Sequence, residues 1–453
     1  MQPGHIEMKR FSTTVGGLDD ILHGGLFEGG VYILEGPPGV GKTTLANQIA
    51  YNRATDGAKT LYVTMLSESH ARMVEHMSHQ TFFRKSAVNA FVFYLSAYRE
   101  LEHEGLKGVL SLLRGELARS GASFVVVDGL VVSAPGIDEG VRQFVHELQS
   151  LVTAMHCTCL VLTTGRGNAL SAEQTMVDGI FAFEDQLFRG KAERLVQVRK
   201  FRGSEVVRGQ HSFCITNDGL KFFPRLESMP MEPRVHAARN PVALGIREVD
   251  DALSEQGIAA GSISLAVGGS GAGKTLMAYR FAGVAGDSEP ALLLLGSSEA
   301  GADASALAAR FGIDLAGPAR RGTLRIETIG QVDESLDEMG HKILRLVDEE
   351  ATKRLVLDGT AALADTMAFQ ERGYRFLGRL LFELRRRGVT ALFTLDPAEI
   401  SMASGTPLAP GVAALFDNVF ELESVPGLEA QRRLTASKIR GSLRNAAVFS
   451  LRG

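Results

Sequence analysis

Short unbroken apolar runs alternate along this chain with longer segments whose apolar positions recur every three or four residues. VYILEG (Val31–Gly36), TLYVTML (60–66), SFVVVDG (123–129) and CLVLTTG (159–165) are runs of the first kind. TTLANQIAYNRAT (43–55) and LKGVLSLLRGELARSG (106–121) are segments of the second. The second half repeats the alternation with SISLAVGG (262–269), LMAYRFAGVAG (276–286), ALLLLGSSE (291–299), KILRLVDEEATKRLVLDG (342–359) and VTALFTLD (389–396). A strand with one wet face alternates apolar and polar residues; an unbroken run is apolar on both faces and needs cover on both. Such runs interleaved with helices predict an α/β fold of mostly parallel sheets flanked by helices.

The pattern is duplicated. GPPGVGKT at Gly36–Thr43 returns as GGSGAGKT at Gly268–Thr275, its lysines Lys42 and Lys274 standing 232 positions apart. FVVVDG returns as RLVLDG, with Asp128 and Asp358 separated by 230. Glu68 and Glu299 are 231 apart, and KFRGS (200–204) returns as KIRGS (438–442) after 238. Four landmarks in one order at nearly one offset indicate a domain duplication, too long in period for a solenoid. Between the halves, Pro224–Pro241 carries four prolines and no apolar period. The predicted organisation is a first domain over 1–224, a linker over 225–241 and a second domain over 242–453.

Each glycine motif follows a predicted strand and opens a predicted helix, the context a phosphate-binding loop requires. Gly36, Gly39 and Gly41, with Gly268, Gly271 and Gly273, let backbone N–H groups turn toward an anion. Val40, Thr44, Ala272 and Leu276 complete the two loops, and each following helix offers its positive dipole end. Lys42 and Lys274 are placed to reach the β- and γ-phosphates of ATP, with Thr43 and Thr275 as Mg²⁺ ligands. Asp128 and Asp358 end apolar runs at the carboxyl edge of the sheet and are expected to hold the metal's water shell; the plain alternative is an ordinary strand-ending Asp. Glu68 and Glu299 follow the second strand of each half and are candidates to orient or deprotonate an attacking water, or else are solvated acids. Lys200 with Arg202, and Lys438 with Arg440, fall on one face of a late strand, either as a solvated basic face or as a finger reaching a neighbour's γ-phosphate.

Composition narrows the field. The 453 residues are 45% hydrophobic with a net charge of −4, as for a globular chain and unlike a strongly basic nucleic-acid binder. Three cysteines in such a length suggest a reducing compartment. His156, Cys157 and Cys159 flank a core strand without a second ligand pair, so packing explains them better than a metal. No apolar stretch reaches membrane-spanning length and the first residues do not read as a secretory signal, so a cytoplasmic location is expected.

From GLDDI (17–21) and HGGL (23–26) to the final KIRGS, nearly the whole chain resembles the KaiC-like ATPases, two-domain members of the RecA superfamily. KFRGS followed by FCITNDGLKFFP (213–224) mirrors the ending of that family's first domain. The resemblance implies two tandem RecA-like P-loop NTPase domains in a hexameric ring, with nucleotide between neighbours and a nucleotide-driven signalling or clock-type role, including signalling partners. It would make Lys200, Arg202, Ser204, Lys438 and Arg440 contacts to the neighbour's ATP. It also places Thr216 and Asn217 beside nucleotide, Phe311 beside adenine, and TTGR (163–166) on the strand after the metal aspartate. Three features depart from the family. Ser67 and Ser298 replace the first of two adjacent acids. Ala413 and Ala414 stand where Ser and Thr phosphoacceptors precede an Asp, here Asp417. The sequence ends at Gly453, where the family has a long tail. These departures weigh against a Ser/Thr autokinase, for which Thr175 would be a lone acceptor in the first half. A DNA-acting RecA-like ATPase is the other alternative, disfavoured by the lack of a basic tail or helix-turn-helix pattern, and a non-hydrolysing scaffold is disfavoured by the intact motif residues.

Overall fold

The computed structural model describes residues 9–65, 70–130, 138–164, 176–188, 190–231, 240–253, 256–296, 301–330, 334–398, 411–424, 431–440 and 447–452. The chain divides into two compact units, Met1–Met229 and Pro230–Gly453.

In the first unit the strands are β1 (Arg10–Phe11), β2 (Leu26–Phe27), β3 (Val31–Glu35), β4 (Thr60–Thr64), β5 (Val92–Ser96), β6 (Phe124–Leu130), β7 (Thr158–Thr163), β8 (Gly179–Phe188), β9 (Lys191–Phe201), β10 (Gln210–Thr216) and β11 (Gly219–Phe223). Its helices are α1 (Leu18–Ile21), α2 (Lys42–Thr55), α3 (His70–Met77), α4 (Tyr98–Ser120) and α5 (Asp138–Ala154). The second unit has strands β12 (Ile263–Val267), β13 (Ala291–Gly296), β14 (Leu324–Ile329), β15 (Arg354–Asp358), β16 (Thr390–Leu395), β17 (Asn418–Ser424), β18 (Gln431–Ile439) and β19 (Ala447–Arg452). Its helices are α6 (Arg247–Asp250), α7 (Lys274–Gly283), α8 (Gly301–Arg310), α9 (Ala316–Arg321), α10 (Leu336–Glu349), α11 (Ala361–Ala364) and α12 (Met367–Arg386).

Among the described residues the main sheets run β11-β10-β9-β8-β3-β7-β6-β4-β5 and β14-β13-β15-β16-β12-β17-β18-β19. Matching β3 to β12 and the later strands in turn gives one order in both units, apart from the added β11. Strands β5, β4, β6, β7, β3 and β8 pair in parallel, as do their second-unit counterparts. This is the mostly parallel α/β architecture that the apolar pattern predicted, and it agrees with the RecA-like domains that the resemblance implied.

The unbroken runs have a direct packing cause. On β6, Val125 and Val127 face the layer of α4 and α5 with Leu113 and Val145, whereas Phe124 and Val126 face the layer containing Leu45 and Ile49 of α2. Both faces are dry, and each fully buried aliphatic side chain contributes about 1.5–3 kcal/mol over exposure. Helix α4 carries a break at Gly105, whose φ of 64° lies in the left-handed region, so its regular part begins where the apolar period does.

Two features lie outside the apolar pattern. Strands β9, β10 and β11, and β18 and β19, extend the parallel cores antiparallel. Each extension also begins with a bulge. Lys200 faces Ile180 and Val198 faces Phe181, leaving Arg199 extra; Lys438 faces Val419 and Ala436 faces Phe420, leaving Ser437 extra. The boundary between units falls after Met229, because Arg225 donates its N–H to His211 Nδ1 at 3.1 Å and Leu226 is buried.

Arg354, at the start of β15, clamps the second unit. Its side chain is 4% exposed, its Nε donates to Glu289 at 2.7 Å and its Nη1 donates to the Ala243 carbonyl at 2.8 Å. The guanidinium also lies 4.9 Å from the Phe281 ring centre. Arg354→Met strands that carbonyl and the carboxylate, but Glu289 keeps contact with water. We expect a loss of about 2 kcal/mol in urea unfolding of the full chain, the range for an unsatisfied buried polar group and below that for breaking a fully buried pair. An unchanged midpoint would remove the clamp.

Candidate functional site

Both glycine loops leave the carboxyl end of a central strand and enter a helix. Gly39 and Gly271 have φ of 79° and 74°, and Gly41 and Gly273 have 106° and 100°, so the two loops trace one path through backbone space that disfavours side chains. A Cβ on Gly41 would lie 2.7 Å from Ile215 Cδ1. Val40 and Ala272 are buried and anchor the loops to the core. Gly41 and Gly273 provide no side-chain cap, so the first-turn N–H groups of α2 and α7 stay open to an anion.

Lys42 Nζ donates to the carbonyls of Gly36 and Pro37 at 2.7 and 2.8 Å. Lys274 Nζ does the same to Gly268 and Gly269 at 2.7 and 2.8 Å. Burial lowers the Lys42 ammonium below the ordinary lysine value, and Asp128 opposes that shift. Thr44, Thr275 and Leu276 are half-buried on the first turns.

Asp128 lies beside this loop. Its Oδ2 accepts from the Thr43 hydroxyl at 2.9 Å and from the Tyr62 hydroxyl at 2.8 Å. Burial first, then the Asp128 charge, pushes the Tyr62 phenol well above its ordinary value, so it stays a donor. Asn47 supports the same turn, donating to the Thr43 carbonyl at 2.9 Å and accepting from Tyr94 at 2.7 Å. In the second unit Asp358 accepts from Thr394 at 2.5 Å, and Leu293 stands where the first unit has Tyr62. Tyr62 was missed in the sequence because it sits inside an apolar run. Its signal was a hydroxyl there that the other repeat lacks.

The basic pairs are elsewhere. Lys200 and Lys438 lie on their strands, but Arg202 and Arg440 fall just past the strand ends, so the alternation expected to align each pair stops at the turn. The Arg202 N–H donates to the Asp178 carbonyl at 2.7 Å, and Asp178 clasps Val31 at the start of β3 through backbone and side chain. Arg440 Nη1 donates to Asp417 at 2.6 Å, and Asp417 clasps Ile263 at the start of β12 in the same way. Both arginines therefore sit at the amino edge of the strand whose carboxyl end carries the loop, about 16 Å away for five residues of strand. Desolvation first and Arg202 second hold the Lys200 ammonium below its ordinary value, against Asp178. Lys438 Nζ donates to the Phe416 carbonyl at 2.6 Å, and Ser204 Oγ to the Glu205 carbonyl at 2.8 Å.

The turn holding Thr216 and Asn217 lies near the first loop. Gln48 of α2 accepts from the Leu220 N–H at 2.8 Å, and the Asn217 carbonyl accepts from the Thr81 N–H at 2.8 Å. Phe311 is exposed just after α8. Glu68 and Glu299, with Ser67, Ser298, Thr175 and Arg166, lie outside the described residues. Cys157 and Cys159 are buried, and burial raises both thiols, Cys157 to about 11, so neither is a ready thiolate.

A sequence model of the family described as "ATPase: KaiC" matches residues 11–227 and again residues 242–451. The chain belongs to the KaiC ATPase family. The KaiC match falls once on each unit, so each loop sits in its own ATPase repeat. The circadian clock oscillator protein KaiC of Picosynechococcus sp. is 25% identical over 458 residues, covering 96% of this chain and 86% of that protein. The same-named protein of Thermostichus vulcanus is 25% identical over 451 residues with the same two coverages. KaiC 1 of Synechocystis sp. is 24% identical, again over 96% of this chain and 86% of its own length. No helix among the described residues is long and apolar enough to cross a membrane.

Asp417 carries a pH signature. Burial alone would raise its carboxyl, but the Ile263 N–H with Arg440 and Arg385 outweighs burial and holds it below its ordinary value. A depressed carboxylate contributes stability above its unfolded value, about 3.9, and that contribution is lost as pH falls through the lower folded value. The stability difference between the unmodified chain and Asp417→Asn should therefore hold from pH 7 to 5 and shrink toward pH 2. A difference that grew in acid would contradict the assignment.

Proposed function

We propose that this KaiC-family ATPase binds Mg-ATP at both loops, hydrolyses it between neighbouring copies in a hexameric ring, and uses the nucleotide state as a signalling switch of the clock type. The observation that carries the reading is the split of each site across the sheet. The lysine, threonine and aspartate gather at one edge, and the arginine is held at the other. Arg202 and Arg440 are too far from their own loop to touch the same nucleotide. They suit contact with ATP held by an adjacent copy.

In this reading the backbone N–H groups of 36–43 and 268–275 ring the phosphates, with Lys42 and Lys274 on the β- and γ-oxygens. Thr43 and Asp128, and Thr275 and Asp358, supply the hard oxygen donors that Mg²⁺ takes. The convergence of two hydroxyls on one Asp128 oxygen fits a carboxylate pre-oriented as a ligand. Bound Mg²⁺ would offset charge on the phosphate oxygens. Glu68 and Glu299 orient the attacking water, and Lys200, Arg202, Ser204, Lys438 and Arg440 enter from the neighbour to stabilise charge on the γ-phosphate. Thr216, Asn217 and Phe311 line the nucleotide. Catalysis of this kind is positioning and charge stabilisation. Ala413 and Ala414 are exposed and carry no hydroxyl, which favours hydrolysis over self-phosphorylation. A cytoplasmic setting with signalling-protein partners suits this role.

Lys42→Ala combined with Lys274→Ala should abolish phosphate release; persistent release would undo the site assignment. Arg202→Ala with Arg440→Ala should leave nucleotide bound but lower turnover by about 10³-fold or more, the range for an arginine finger. Light scattering after size exclusion, with and without Mg-ATP, should show nucleotide-dependent assembly. A monomer with full turnover would remove the trans role.

A further inference from the structure

The surroundings of the two loops differ in charge: Arg432 packs against Gly273 where Gly41 meets Ile215, Glu35 precedes the first loop where Val267 precedes the second, and one carboxylate reaches the loop lysine in the second unit alone among the described residues. Asp396 immediately follows β16, and the strand registers Ala266 with Thr394 and Leu34 with Leu162 make Thr164 its counterpart in the first unit. Asp396 is buried, its Oδ1 accepts from the Ala398 N–H at 3.0 Å, and its Oδ2 stands 3.5 Å from Lys274 Nζ. The two loop lysines make matching contacts with their loop carbonyls. The carboxylate is therefore an addition to the second site, where Thr164 offers an exposed neutral side chain in the first.

We infer that Asp396 is a specificity-determining residue that biases the second site toward a nucleoside diphosphate over a triphosphate. This rests on the nucleotide reading of the loops. The loop lysine serves the β- and γ-phosphates, so a fixed carboxylate within ion-pair reach of its ammonium stands beside the γ-position. It neutralises the lysine and repels the terminal phosphate, whose charge is absent from a diphosphate. Burial and the Ala398 N–H keep it from swinging into water, and a buried like-charge pair is costly because solvent screens it poorly. The first site has no such competitor at that position and holds triphosphate for turnover. The second would retain the product of its own reaction and report nucleotide state more than it cycles.

The test uses the full chain with one loop silenced at a time, titrated with fluorescently labelled ADP and ATP in Mg²⁺ at constant chain concentration. In the Lys42→Ala chain, which reports the second site, the ATP-to-ADP affinity ratio should be about tenfold or more below that of the Lys274→Ala chain, which reports the first. Adding Asp396→Thr, or Asp396→Asn, to the former should restore the ratio mainly by tightening ATP. Thr164→Asp in the latter should lower it, an arm that does not depend on Asp396 variants folding. Equal ratios in the two silenced chains, or ratios unmoved by these exchanges, would overturn the inference while leaving the nucleotide sites standing. Failure of the Lys42→Ala chain to bind either nucleotide would overturn the second-site reading itself.

Discussion

The strand feeding each phosphate loop is hydrogen-bonded along both sides, and the chemistry of either unit depends on that pairing. β3 lies between β7 and β8, and β12 between β16 and β17, in parallel register. Asp178 and Asp417 close the start of these strands by clasping Val31 and Ile263. A loop leaving a strand so held cannot slide or twist without breaking ladders on both flanks. The open N–H groups and the lysine are thus in place before any anion arrives, which spares ordering cost at the moment of binding.

The same constraint separates the basic residues from the glycine loop of their own unit. Because β9 and β18 run antiparallel to their neighbours, their ends arrive at the amino edge, beside the two clasping aspartates. The bulges at Arg199 and Ser437 shift the face on which the following lysine emerges. Arg199 uses that freedom to meet the buried Glu35 at 2.6 Å, one residue before the first loop. A residue set that looks contiguous as a motif therefore serves two places: the sheet's own edge ladder and a surface at the opposite end of the strands from the glycine loop.

Duplication has kept the layers and changed the polar lining. Both units retain the strand order, the loop dihedrals and the lysine contacts, because each depends on backbone pairing and apolar filling that tolerate few alternatives. Around Asp128 and Asp358 the units diverge, with Tyr62 and Thr43 donating to Asp128 and Thr394 donating to Asp358. A hydrophobic layer accepts Leu293 in place of Tyr62 at little packing cost, so such positions are free to specialise.

Periodicity and repetition in the sequence determined the parallel cores, the duplication and the two loops, since runs buried on both faces and glycines needing positive φ leave a local imprint. Lys42, Thr43 and Asp128 were legible because each is tied to a strand end or a helix start. The antiparallel extensions, the two bulges, the partners of Asp128 and the ion pair between Lys274 and Asp396 were decided by tertiary structure alone. The bulges, the partners of Asp128 and the ion pair join residues from some twenty to more than a hundred positions apart, and all of these features depend on register and side-chain reach. Neither quantity is encoded in a local apolar period, so they become visible once the strands have been paired.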